Sequence, residues 1–189
     1  VNAELAERGV SDAGNTVVAA DVDTDPRRGA AAPIPAGEPI RIEVAPRGPH
    51  GYHGALSRTV VVDSDGGWER RAYVAVESAL DAALGEIAPG VTISEVRREA
   101  DAEVTAFGFD PGGEGTGPGD AVHGVGLTPR ERPRSGGETV EPGSVVAVTP
   151  RVSDPDYGTV ALGGLVAVRE DGIDRLGEAT WSFSPRPAE

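Results

Sequence analysis

Apolar residues recur three and four positions apart through the middle of the chain. Tyr73, Val76, Leu80, Leu84 and Ile87 form one such series, and Ile93, Val96, Ala100, Val104 and Phe107 form another. Side chains at these spacings share one face of a helix with 3.6 residues per turn, so the pattern predicts two amphipathic helices. Pro89-Gly90 separates them, Thr92 and Glu95 stand at capping-box spacing at the start of the second, and Gly108 closes it. Outside this region the pattern shortens to strand-like runs at Thr16 to Ala20, Pro39 to Ala45, Ser57 to Val62, Ser144 to Thr149, Thr159 to Leu162, Leu165 to Arg169 and Ile173 to Leu176. Turn clusters break these runs: Arg47-Gly48-Pro49-His50-Gly51, the stretch Asp63 to Gly67, and Glu170-Asp171-Gly172. The opening Val1 to Arg8 reads as the end of a helix stopped at Gly9, and Asp21 to Gly37 as loop. Two amphipathic helices need an apolar surface to cover. The order of strands, two helices and more strands therefore predicts an α+β fold, with helices packed on one face of a curved antiparallel sheet.

Length and composition narrow the function classes. At 189 residues the chain is long enough to bury a core, and residues 1–189 read as one domain. There is no cysteine, which excludes disulfides and thiolate metal sites. No stretch reaches the roughly 18 uninterrupted apolar residues of a membrane span, and the acidic start lacks the basic, then apolar, grammar of a signal peptide; a cytoplasmic location is expected. The chain opens on Val1 rather than methionine, which suggests a start downstream of the encoded one. Acidic residues number 31 against 17 basic, a formal net charge of −14; every basic residue is arginine, and lysine and glutamine are absent. Such a surface repels nucleic acid and anionic lipid, so neither is an expected partner. It also suits a halophile's cytoplasm, where concentrated salt screens the self-repulsion. The plainer reading is an acidic protein from a high-GC genome, and stability on desalting separates the two.

Two blocks carry a family resemblance: Gly51-Tyr52-His53-Gly54-Ala55-Leu56-Ser57-Arg58-Thr59, and His123-Gly124-Val125-Gly126-Leu127 followed by Glu131-Arg132-Pro133. They resemble the patterns G-Y-x-S-D-x-T-R-T and G-H-G-I-G-L-x-x-H-E-x-P of the pita-bread superfamily of methionine aminopeptidases, Xaa-Pro aminopeptidases, prolidases and creatinases. Glu141-Pro142-Gly143, the late hairpin at Arg169-Glu170-Asp171-Gly172 and the helix pair around Ala88-Pro89-Gly90-Val91-Thr92 fall in the matching order. The resemblance spans nearly the whole chain and implies the pita-bread fold, with a further helix normally found ahead of this segment.

The resemblance also implies a pair of divalent cations held by two aspartates, one histidine and two glutamates. Carried over position by position, most of these ligands are missing. The first aspartate falls on Glu43 if one residue is inserted before Gly51-Tyr52, and on Val44 if not. The second falls on Ala55, the histidine on His123, the first glutamate on Thr149 before Pro150, and the last glutamate on Gly163. Hard cations take roughly six oxygen donors each, so no metal cofactor is expected at Glu43, Ala55, His123, Thr149 and Gly163. The second histidine of the family's H-E pair is Arg130, and an upstream histidine of some members falls near Arg27 and Arg28. Arginine forks suit carboxylates and phosphates, so the implied cleft turns from cations toward anions, with Arg130, Arg27, Tyr52, His53 and Thr149 as candidate ligand-binding residues. The plain alternative is that these arginines pair with surface acids.

The leading expectation is a degenerate aminopeptidase-like protein that keeps the cleft for a peptide or small-molecule ligand, with a homodimer allowed. A second is a metal-free, creatinase-like hydrolase with His123 as general base and Glu131 orienting it. A third is residual Xaa-Pro aminopeptidase activity with a single metal. Other signals reduce to bland readings. The run Pro111 to Asp120 lacks the lysine of a phosphate loop and reads as a flexible connection. His50 and His53 have no third ligand close in sequence, Asp21, Asp23 and Asp25 mimic only the start of a calcium loop, and no G-x-S-x-G elbow is present.

Overall fold

The computed structural model describes residues 1–20, 35–111, 121–177 and 182–184. The predicted loop at 21–34, with Arg27, Arg28 and the alternating aspartates, and most of the glycine-rich run at 112–120 lie outside the described residues.

The two predicted helices form. α2, after a short first helix α1 (Asn2–Glu7), spans Trp68–Glu86, and α3 spans Ile93–Ala106. Ala72, Ala75, Ala79 and Ala83 are fully buried along α2, so no bulky side chain holds α3 away; Ile93, Val96, Ala100 and Val104 fill the facing stripe. α3 begins with a complete capping box: the Glu95 backbone N–H donates to Thr92 Oγ1 at 3.3 Å, and the Glu95 carboxylate accepts from the Thr92 N–H at 2.8 Å. Phe107, predicted on the apolar face, is instead the C-cap residue and 42% exposed. The helical period has ended there, and the ring leaves the buried stripe.

Among the described residues all strand pairings are antiparallel. β1 (Thr16–Ala19), β2 (Pro39–Val44) and β3 (Leu56–Val61) form one sheet in that order. β4 (Val122–Gly124), β5 (Val145–Val148), β8 (Gly164–Arg169) and β9 (Gly172–Leu176) form a second, and β6 (Arg151–Asp154) pairs with β7 (Gly158–Ala161). β4 and β6 were not among the predicted strands, because each is only three or four residues long beside glycine or proline. The predicted single sheet is thus three pieces, and a seam joins them. Ser57 and Gly163 exchange backbone hydrogen bonds of 3.0 Å in both directions. Thr59 Oγ1 donates to the Ala161 carbonyl and accepts from the Ala161 N–H, each at 2.9 Å. Arg58 Nη1 donates to the Gly163 carbonyl at 3.0 Å. Burial lowers the Arg58 pKa from its ordinary value to about 10, so the guanidinium still carries its charge at neutral pH.

The core lies between the helices and these sheets: Val122, Val140, Val146, Val148, Val152, Val160 and Leu162 are at most 2% exposed and pack with the α2 and α3 stripes. Among the described residues no helix is long and apolar enough to cross a membrane.

Candidate functional site

The inward face of the first sheet is polar at one end. Antiparallel register sets Val17, Glu43 and Ser57 in a row across β1, β2 and β3, with Ala19, Arg41 and Thr59 in the row two residues along. Partners in such a row share a sheet face, and so do residues two apart on one strand, so Arg41, Glu43, Ser57 and Thr59 all project the same way. This face looks onto a cleft of about 530 Å³. Glu43, Ala55, Ser57, His123, Thr149 and Arg130 line it, together with Arg151.

At the Glu43 position, the carboxylate accepts from Arg41 Nη1 at 3.1 Å and lies 4.0 Å from Arg151 Nη2. Both arginine side chains are mostly buried, 16% and 18% exposed, which strengthens an ion pair beyond its value in bulk water. Val44, the alternative position for the first aspartate, borders the cleft, but alternation along β2 turns its isopropyl group to the opposite face of the sheet. Ala55 presents a methyl group. His123 is buried on β4, opposite Ala147 of β5. Its Nδ1 lies 3.0 Å from the Gly124 carbonyl; a carbonyl only accepts, so Nδ1 carries a proton. Thr149 is anchored by its backbone N–H donating to the Ala121 carbonyl at 2.6 Å.

Gly163 is not part of the cleft lining, and its surroundings explain why it is glycine. A β-carbon there would run into Thr149 Oγ1 and the Val148 carbonyl and stand 2.8 Å from Thr149 Cα. No side chain fits, glutamate included, unless backbone moves.

Several predicted residues sit elsewhere. Glu131 lies outside the lining; its carboxylate accepts from the N–H and hydroxyl of Thr128, both at 3.3 Å, and covers Gly126 so closely that a side chain at 126 would collide with it. It therefore braces the 124–131 loop, through which Pro129 and Arg130 reach the cleft. Tyr52 is 63% exposed and also outside the lining. His53 joins the two glycine-rich blocks instead: its N–H donates to the Gly126 carbonyl at 2.8 Å, and its Nδ1 lies 3.2 Å from the Ala45 carbonyl.

Two lining residues escape sequence reasoning. Arg151 follows Pro150 and looks like the start of a loop, although alternation through buried Val152 marks the short strand. Ser57 reads as a strand residue; it is 3% exposed, and its Oγ makes no hydrogen bond among the described residues.

The donor set does not fit a pair of divalent cations. Of the five positions that the resemblance assigns to ligands, only Glu43 and His123 carry a donor of that kind, and Glu43 already faces two guanidinium groups. Among the described residues no group of three or more histidine, aspartate or glutamate side chains gathers. Two doubly charged ions would meet one carboxylate, against the roughly six oxygen donors each needs.

Comparison with known proteins places these observations. Residues 2–170 match Peptidase_M24, the metallopeptidase family M24. A Xaa-Pro dipeptidase of Pyrococcus furiosus is 31% identical over 133 residues, 66% of this chain and 36% of that protein. A methionine aminopeptidase B of Synechocystis is 31% identical over 123 residues, 64% of this chain and 44% of that protein. The chain thus spans less than half the length of either relative. Among solved structures, the X-Pro aminopeptidase from Thermotoga maritima superposes with a TM-score of 0.84 at 18% identity, covering 97% of this chain and 52% of the other. The antiparallel sheets with α2 and α3 against them are the pita-bread fold, and the chain belongs to metallopeptidase family M24.

Proposed function

We propose that this M24-family chain binds a peptide or small ligand in the cleft without a dinuclear metal centre and does not hydrolyse Xaa-Pro peptides. The observation that carries this reading is the Glu43 carboxylate, ion-paired with Arg41 and Arg151 inside the cleft. A cation entering there would displace buried guanidinium groups and then find a methyl, a hydroxyl and a glycine where carboxylates are needed. Reversion of single side chains would not rebuild the centre, because position 163 has no room for one. The metal-free hydrolase reading lacks its orienting group, since the Glu131 carboxylate is held by Thr128.

The test is an Xaa-Pro dipeptide and tripeptide hydrolysis assay in the presence of excess Mn²⁺ or Co²⁺. Rates at the level of a protein-free blank are expected. Turnover that rises with metal and saturates at a fixed metal-to-chain ratio would overturn the proposal.

A further inference from the structure

The loop between β3 and α2 brings a nucleophile, a proton path and an electrophile to one peptide bond. Asp65-Gly66 is one of two Asp-Gly pairs in the chain, the other being Asp171-Gly172. The Gly66 N–H donates to Ser64 Oγ at 3.0 Å, and the Ser64 hydroxyl donates in turn to the Glu69 carboxylate at 2.6 Å. Glu69 is buried, so its carboxylate meets that hydroxyl largely out of water, where such a chain of hydrogen bonds is strengthened. On the other side the Gly67 N–H donates to Asp65 Oδ1 at 2.9 Å and polarises the side-chain carboxyl group that adjoins the Gly66 nitrogen. A β-carbon on Gly66 would meet nothing within 4 Å, so a ring closing at this bond has room.

We infer that Asp65 is a site of self-modification, at which the folded loop promotes succinimide formation and leaves an isoaspartate ahead of α2. The Gly66 nitrogen attacks Cγ of the protonated Asp65 side chain. As the N–Cγ bond forms, the nitrogen's proton passes to Ser64 Oγ while the Ser64 hydroxyl proton moves to Glu69. The Gly67 N–H holds the negative charge that develops on Oδ1. Asp65 Oδ2 then departs with its own hydrogen and the proton that Glu69 returns through Ser64, so the step releases one water and leaves Glu69 ionised again. Solvent water reopens the ring. Attack at Cγ restores aspartate, and attack at the main-chain carbonyl of Asp65 leaves the chain running through Cβ. The other pair lacks these parts: Gly172 begins β9 in register opposite Arg169, and among the described residues no donor reaches the Asp171 carboxylate.

Ageing the folded chain in neutral buffer at physiological temperature and then digesting it with trypsin tests this, because cleavage after arginine puts the two pairs in separate peptides, 59–70 and 170–175. Electron-transfer fragmentation locates isoaspartate in each peptide and distinguishes Asp65 from Asp63. Asp65 is expected to isomerise about tenfold faster than Asp171, the worth of one charge-assisted hydrogen bond in a transition state. Glu69→Gln keeps an acceptor for the Ser64 hydroxyl but no base, and Ser64→Ala breaks the proton path, so each should bring Asp65 down to the rate of Asp171. Ser64→Thr, which keeps the hydroxyl, should retain the parent rate. In urea the two sites of the parent chain should age equally, a comparison that carries the test even if a variant fails to fold. Asp171 keeping pace with Asp65 in the folded chain, an unchanged or faster rate in Glu69→Gln or Ser64→Ala, or the same preference for Asp65 in urea would overturn the inference.

Discussion

Replacing Gly163 by alanine probes how tightly the main chain closes the position where the proposed reading finds the last metal ligand missing. The added β-carbon meets backbone on two sides, at the Val148 carbonyl and at Thr149 Cα, 2.8 Å away, so relief requires main-chain movement rather than a rotamer change. Overpacking of this kind costs about 1–3 kcal/mol. The movement would stretch the seam between the sheet pieces. Gly163 gives and receives the 3.0 Å hydrogen bonds with Ser57, and its carbonyl accepts from Arg58 at 3.0 Å. Weakening one or two of these, at about 1 kcal/mol each, brings the expected loss to about 2–5 kcal/mol. A domain of this kind has about 5–15 kcal/mol in all, so the change is large. The neighbouring Gly164 supplies the control, because a β-carbon there meets nothing within 4 Å and its φ lies outside the left-handed region. Gly164→Ala should be within about 0.5 kcal/mol of the parent. Urea unfolding followed by far-UV circular dichroism gives both midpoints. Indistinguishable midpoints for the two variants would refute the claim that the main chain, not only the side-chain identity, closes this position.

Other consequences follow from particular contacts. Thr92→Ala removes the acceptor that caps α3 and should lower stability by about 1 kcal/mol in the same urea experiment, with no change in the unfolding slope. Acid should weaken the fold through two carboxylates: hydrogen bonds from the hydroxyl and N–H of Thr92 depress the Glu95 pKa below 4.5, and backbone N–H groups of Arg134 and Ser135 with the Arg132 side chain bring Glu138 to about 2. A depressed folded-state pKa gives stability that is full above the unfolded value, so melting temperature should hold above pH 5 and fall as the pH drops from 4.5 toward 2. Glu138→Gln should flatten part of that fall. Raising salt from about 0.01 M to about 1 M shortens the screening length from roughly 30 Å to 3 Å and should raise the melting temperature of a chain carrying −14 net charge; an unchanged value would show that self-repulsion is not limiting.

What could be read in the sequence was whatever local periodicity or a contiguous motif encodes. The α2 and α3 stripes and the Thr92–Glu95 box are local, and they formed as the spacing requires. The two glycine-rich blocks identify the family because their glycines answer to close approaches, such as Glu131 over Gly126. The cleft is not local. Arg151 enters it through the pairing of β6 with β7, and Ser57 meets Glu43 only by cross-strand register, so the linear pattern does not show that they share a cleft. Tyr52, His53 and Glu131 mislead for the converse reason: they sit inside motif blocks, yet the fold uses the latter two to hold loops together and leaves Tyr52 exposed.

The most direct test of the central claim is metal stoichiometry. Equilibrium dialysis of the purified chain against Mn²⁺ or Co²⁺, followed by inductively coupled plasma mass spectrometry, should find no more metal than in a buffer-matched control protein of equal net charge. Two equivalents per chain, retained after dialysis into metal-free buffer, would contradict the account.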